Sequence, residues 1–322
     1  MQPLLIQGSD VNQIYHELML HREEWTTEED SRNGPVYAFT APVLIAYHLP
    51  YRRVLFDPAR DANPFFHYME AIWMLSGSEN LDFLSRFTKG MARYSDDDLT
   101  LNGAYGFRWR MHFEDDQIEQ IIELLRNDPT TRRAVLTMWD ANYDLGSTSK
   151  DIPCNTHAYF RIVDRKLDMT VCNRSNDLVW GALGANVVHM SVLQEYLAES
   201  LRIGVGTYYQ FTNTLHIYPG MEEDYDDQVD QWYSHNPTYN RWMFSPDNLS
   251  IAEAQDFVEF GLDTEEPFKG RIIRDNATPM FLAYAAYRVK DIPLALHHAG
   301  KIYDEDWRYA CVNWLNRRHK DE

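Results

Sequence analysis

Residues 151–157 read DIPCNTH, and residues 173–177 read NRSND. Two kinds of chemistry are open to such residues. A thiolate adds to an electrophilic carbon when a neighbouring cation stabilises it. A guanidinium fork with a hydroxyl beside it binds the oxygens of a phosphate. Taken alone, Cys154 reads as a small buried apolar residue, as most free cysteines do. Three features stand against that. Pro153 and Asn155 set it at the start of a strand, near a rim. A second strand returns at 173–177 and brings Arg174 close. An arginine there favours the thiolate and can also hold an anion.

Other candidates are spread along the chain. Arg32 stands in the turn SRNG, and Arg132 and Arg133 close the stretch TTRR just before a strand. With Arg174 and Ser175 they would make a local anion site; singly, each also reads as a surface arginine. Glu70 lies in NPFFHYMEAIWMLSGS (63–78), which is apolar nearly all round. A carboxylate there is either satisfied by a neighbouring helix end or shifted upward in pKa and able to act as an acid or base. In GAYGFRWR (103–110) Tyr105 stands between glycines, so both backbone and phenol can approach a ligand. His216 and Tyr218 are two apart, hence on one strand face, and both can donate to sugar hydroxyls. No GxGxxG, P-loop or HExxH is present and nothing suggests a metal.

The elements that position these residues follow from patterning. Helical spacing runs over 12–25, and 34–50 reads as one or two strands. Residues 63–78 form a helix ending near Gly77. An amphipathic helix over 115–133 is stopped by Asp128–Pro129, and 134–140 reads as a strand. Residues 157–177 are strand, turn around Asp164–Lys166, and strand. A helix follows over 186–203 and one strand over 206–219. The stretch 220–250 is acidic and aromatic and reads as a solvated insertion; two or three helices fill 278–318. The mix is α+β, with no boundary between independent domains.

Composition sets limits. The chain has 322 residues, 44% hydrophobic and 25% charged, the profile of a globular protein with a sizeable core. No apolar run approaches the roughly 18 residues of a membrane span, and MQPLLIQGSDVNQIYHELML lacks a signal-peptide pattern. Three cysteines without a CxxC fit a reducing cytoplasm. A formal charge of −19 disfavours nucleic acid and anionic membranes, so an anionic ligand must be caught by a local arginine cluster.

In order along the chain stand Arg32, Glu70 followed by Trp73 and Gly77, Tyr105-Gly106 with Trp109, NDPTTRR (127–133), Pro153-Cys154, RSND (174–177), Asn186 and His216-x-Tyr218. In this order, from about 30 to 218, the chain resembles the thymidylate synthase family. The resemblance implies a single large domain over 1–322, a thymidylate synthase-like mixed sheet with packed helices. Its core is 30–218, and 219–322 supplies the acidic insertion and a helical C-terminal extension. It also implies a homodimer formed through the sheet, with shared active sites. Cys154 would attack C6 of a pyrimidine nucleotide, and C5 would take a one-carbon unit from 5,10-methylenetetrahydrofolate. Arg32, Arg174 and Ser175 would hold the 5′-phosphate, with Arg132 and Arg133 reaching in from the partner. His216 and Tyr218 would bind the 3′-hydroxyl. Glu70 would organise water and protons, and Tyr105 would help the proton leave C5. Asp177 and Gly181 would contact the folate, and Asn186 the base.

The chain departs from the family pattern at several points. Asn155 replaces a usual His and Asn173 a usual Gln. WGALGAN (180–186) is one residue longer than the usual stretch and has no proline. Tryptophans expected between the helix carrying Glu70 (63–78) and Tyr105 are missing, and the end NRRHKDE is not the small apolar lid of the synthases. Losing an indole shield and changing the lid lets water reach an electrophilic methylene on C5. The expectation is therefore 5-hydroxymethylation, as in the branch phages use to make modified bases. Thymidylate synthesis and a non-catalytic nucleotide-binding member are the alternatives. An Asn amide complements uracil where the cytosine enzymes use Asp, so Asn186 leans towards dUMP, with dCMP left open.

Overall fold

The structure, a computed structural model, describes residues 2–31, 34–220, 249–264 and 266–320. Arg32 and most of the acidic stretch 220–250 lie outside the described residues. The described elements are helices and mixed sheets, an α+β fold. The chain divides into two compact units. One contains 1–62, 117–144 and 153–236; the other contains 63–116, 145–152 and 237–322. Each unit is assembled from three separate segments, which is why no boundary is visible along the sequence.

The first unit holds every strand among the described residues. These are β1 (Leu4–Gly8), β2 (Thr26–Ser31), β3 (Gly34–Phe39), β4 (Val43–Tyr47), β5 (Val135–Thr137), β6 (Asn155–Val163), β7 (Lys166–Asn173), β8 (Asn176–Asp177), β9 (Gly204–Thr212) and β10 (Leu215–Ile217). A six-stranded sheet runs β1-β4-β9-β7-β6-β5, and a four-stranded sheet runs β2-β3-β10-β8. Asp164 and Arg165 take positive φ (48° and 58°) and close the tight β6–β7 hairpin. The alternation of side chains across the large sheet is clean. Ala158, Phe160, Met169, Val171, Tyr208 and Gln210 are buried on one face. That face meets the helix Asn186–Ser200, whose Gln194 Nε2 donates to Leu167 O at 2.8 Å. The opposite face carries exposed Tyr159 and Arg161 and half-buried His157, Cys172, Tyr209 and Phe211.

The reading of 206–219 as one strand is corrected. The chain breaks at Asn213–Thr214, and β10 joins the second sheet, antiparallel to β3 and parallel to β8. Strands β1 and β2 also escaped the patterning. The segment TTEEDS of β2 is polar on both faces, so no period-2 signal exists.

The second unit is helical. Asn63 caps the helix Pro64–Ser76 by accepting from Phe66 N, Pro64 supplies a preset first turn, and Gly77 ends it at φ 80°. Helices after residue 250 surround it. Tyr68 packs edge-on to Trp307 (5.0 Å between centroids) and donates its hydroxyl to Ile272 O at 3.3 Å; Phe65 packs edge-on to Trp314. The C-terminal helices Thr278–Arg288, Ile292–Ala299 and Glu305–Lys320 thus complete the core around the Glu70 helix. No helix of the described residues is long and apolar enough to cross a membrane.

Candidate active site

Cys154 immediately precedes β6 and is half-buried. The β6–β7 hairpin pairs Asn155 with Asn173, so Arg174, the next residue, emerges beside it. Its backbone N–H donates to Cys154 O (3.0 Å), its Nε donates to Pro153 O (2.8 Å), and its Nη2 lies 3.9 Å from Cys154 Sγ. The remaining guanidinium surface is exposed, with Ser175 next in sequence. The other two thiols are in different surroundings. Burial pushes the Cys172 thiol up, and burial together with Asp306 pushes Cys311 up strongly.

Behind the cysteine lies a line of amides. Asn155 Nδ2 donates to Asn186 Oδ1 at 3.4 Å, and Asn186 Nδ2 donates to Asn176 Oδ1 at 3.0 Å. The segment Leu178–Ala185 winds as π-helix interrupted by a kink at Gly184, with Asn186 N–H reaching back five residues to Gly181 O. Asn186 is thereby kept at the start of its helix.

Asp177 opens that segment. One oxygen, Oδ1, accepts from both Val179 N and Trp180 N at 2.7 Å. Burial raises the Asp177 carboxyl, against the opposing pulls of the Trp180 N–H, His216, the Val179 N–H and Arg60. His216 is the direct neighbour of Asp177 across β10 and β8, and its ring meets Tyr218 edge-on at 5.3 Å. Trp180 is 57% exposed and rests on the buried guanidinium of Arg60, 4.3 Å from the ring centroid. Sequence reasoning passed over Arg60, Trp180 and Asn176. Arg60 had no motif to mark it, and Trp180 and Asn176 were in view within WGALGAN and NRSND but had no visible partner. Arg132 and Arg133 follow buried Thr131 and are both exposed.

Glu70 and Tyr105 belong to the second unit. Glu70 is 6% exposed in its helix, and Tyr105 is the first residue of the helix Tyr105–Arg110. The glycines around Tyr105 are closely packed. A Cβ on Gly106 would stand 2.0 Å from Met74 O, and one on Gly103 would stand 2.8 Å from the Asp151 carboxylate, which accepts from Gly103 N.

The sequence profile of the thymidylate synthase family matches residues 59–272. The chain belongs to the thymidylate synthase family. The match begins later than Arg32 and extends past 218 through the helix Ile251–Phe260. Within this family the chain is 41% identical over 332 aligned positions to the deoxyuridylate hydroxymethyltransferase of Pseudomonas phage M6, covering 98% of this chain and 94% of that protein. It is 38% identical to the protein of the same name from Bacillus phage SP01, over 55% of this chain and 49% of that one. With that from Delftia phage PhiW-14 it shares 33% identity over 57% of this chain and 54% of that one. The chain therefore spans about half the length of the latter two.

Proposed function

We propose that the protein transfers a one-carbon unit from 5,10-methylenetetrahydrofolate to C5 of dUMP and releases the 5-hydroxymethyl nucleotide. The contact of Arg174 with Cys154 carries this reading. It sets a cation beside the thiol at the start of β6, in a chain aligned over 98% of its length with a deoxyuridylate hydroxymethyltransferase.

The pyrimidine C5 is a poor nucleophile until the ring's conjugation is broken. Addition of the Cys154 thiolate at C6 does this, leaving electron density on C5. Arg174 stabilises the sulfur's charge and, with Ser175 and Arg32, holds the 5′-phosphate. His216 and Tyr218 hold the 3′-hydroxyl, and Asn186 faces the base. Bound methylenetetrahydrofolate supplies carbon at the oxidation level of formaldehyde. The residues present fit such a ligand. Asp177 spends one oxygen on two backbone N–H groups, leaving the other to accept from a flat heterocycle, and Trp180 and Gly181 lie beside it. Glu70 orders water and protons, and Tyr105 helps the C5 proton leave. Once C5 is bonded to that carbon, loss of the C5 proton breaks the carbon's bond to the folate nitrogen and tetrahydrofolate leaves; water then adds to the carbon on C5, its oxygen forming the new C–O bond and giving up a proton, and the electron pair returned to the ring expels Cys154 from C6 as thiolate.

We assign the two units to one catalytic domain and the working molecule to a homodimer. The open face of the large sheet, with Tyr159, Tyr209 and Phe211, supports an interface there. Exposed Arg132 and Arg133 then reach the partner's phosphate. The free thiols accord with a cytoplasmic setting.

Incubation with dUMP and methylenetetrahydrofolate tests the reading. Tetrahydrofolate and a nucleotide heavier by CH2O support it. Dihydrofolate and a gain of CH2 replace it with thymidylate synthesis, and no change in either compound favours a non-catalytic member.

A further inference from the structure

We infer that Asp151 is a positioning residue for Tyr105: its carboxylate holds the chain entering the helix Tyr105–Arg110, and so keeps the phenol where it serves loss of the C5 proton. The inference rests on the reading that Tyr105 helps that proton leave, and goes beyond it by naming what fixes the phenol's place.

The helix Tyr105–Arg110 is 6 residues long and has no side-chain cap, because Ala104 stands at the N-cap position. So short a helix has little stability of its own, and its start must be held from outside. Asp151 supplies that hold. Its Oδ2 accepts from Gly103 N at 2.7 Å, and its backbone carbonyl accepts from Asn102 Nδ2 at 2.8 Å. Arg108 ties the helix back to the same turn, its Nε donating to Asn102 O at 2.9 Å. The fit is close. A Cβ on Gly103 would stand 2.8 Å from Asp151 Oδ1 and 3.0 Å from Oδ2, so the carboxylate reaches the N–H through the space that glycine leaves.

Asp151 is itself held. Ser149 Oγ donates to Asp96 Oδ2 at 2.6 Å and Lys150 Nζ donates to Ser95 O at 2.8 Å, which straps the residues before it to the loop before Asn102. Asp97 closes that loop, its Oδ1 accepting from Leu99 N at 2.9 Å and Thr100 N at 2.8 Å. All of these contacts lie within the second unit. The carboxylate therefore meets Gly103 from a fixed side, and it does so at the end of the helix that carries the phenol. Proton transfer tolerates little displacement there, since an error of about 1 Å costs on the order of a hundredfold in rate.

The test is a single turnover with excess enzyme, methylenetetrahydrofolate and dUMP carrying protium or deuterium at C5, read by release of tetrahydrofolate, which accompanies loss of that proton. It compares the wild-type chain with Asp151→Ala, Asp151→Asn, Gly103→Ala and Tyr105→Phe, with melting curves and dUMP calorimetry for each. Asp151→Ala should slow the release about a hundredfold, and the slowed reaction should carry a primary isotope effect at least as large as the wild type's, because proton loss then limits it. Binding of dUMP and iodoacetamide labelling of Cys154 should be little changed, which general loosening of the site would not give. Asp151→Asn, whose Oδ1 still accepts from Gly103 N, should recover most of the rate. Gly103→Ala should reproduce Asp151→Ala and add nothing to it in the double variant. If Asp151→Ala does not fold, Asp151→Glu, which moves the carboxylate by one methylene, serves for the same measurement. An unchanged rate, a loss without an isotope effect, or no recovery with asparagine overturns the inference alone where Tyr105→Phe still slows the isotope-sensitive step. If Tyr105→Phe leaves that step unchanged, the reading of Tyr105 fails, and the inference falls with it.

Discussion

The guanidinium of Arg174 lies 3.9 Å from Cys154 Sγ while its Nε holds the carbonyl of Pro153. The arginine is anchored to the backbone it serves, so its position does not depend on the thiol. Replacing Cys154 with serine should therefore abolish turnover and leave nucleotide binding within about threefold of wild type, since one weak sulfur contact contributes little. Product mass and dUMP calorimetry read the two effects separately. Retained turnover would remove the covalent step from the mechanism.

The three thiols should differ in reactivity. Burial raises Cys172, and burial with Asp306 raises Cys311 further, so both hold less thiolate at neutral pH than an ordinary cysteine. Iodoacetamide near neutrality should label Cys154 first. Cys172 should follow only as pH rises above the ordinary thiol range, and Cys311 only on unfolding. Peptide mass spectrometry over time reads the order.

The fold should weaken in alkali. Tyr47 and Tyr208 are stacked at 5.3 Å in the core, and burial raises both phenols; each charge would also oppose the other at Tyr47. A raised folded-state value means that the stabilisation is complete below the ordinary phenol range near ~10. It is lost as pH climbs through the raised values. Urea midpoints should be flat from pH 7 to about 9 and fall steeply above it.

Gly106→Ala should cost about 1–3 kcal/mol, because the added methyl meets the Met74 carbonyl rather than a yielding side chain. A lowered melting temperature is the expected reading. Gly34→Ala, where nothing lies within 4 Å but φ is +108°, separates backbone strain from crowding.

If Arg133 serves the partner's site, inactive Arg133→Ala and inactive Cys154→Ser chains should complement each other. Random exchange makes half of the dimers mixed, each with one intact site of two, so about a quarter of wild-type activity should return. No recovery on mixing, with exchange shown by mass-tagged chains, would place Arg133 elsewhere.

Local features of this site were legible. Cys154 and Arg174 meet because a single tight turn at Asp164–Arg165 folds the strand carrying one onto the strand carrying the other, and hairpin pairing is written in alternation and turn residues. The longer stretch after Asp177 was also visible, although its π-helical form was not. What stayed hidden depends on distant partners. Nothing in NRSND says that Asn176 will meet Asn186, and nothing in Arg60 foretells an indole above it. The polar strand β2 has no period to read. The break at Asn213–Thr214 separates two segments that are each good strands, so composition could not show that they enter different sheets.

The strand β4 lies between β1 and β9, pairing Val43 with Thr212 at one end and Tyr47 with Tyr208 at the other. A ribosome adding about 5–20 residues per second takes roughly 8–35 seconds to travel from one strand to the other. Throughout that interval one hydrogen-bonding edge of an apolar strand has no native mate. The nascent chain thus has a built-in vulnerability to wrong pairing, and its yield in the cell depends on how well that edge is kept apart from its neighbours until residue 212 has been made.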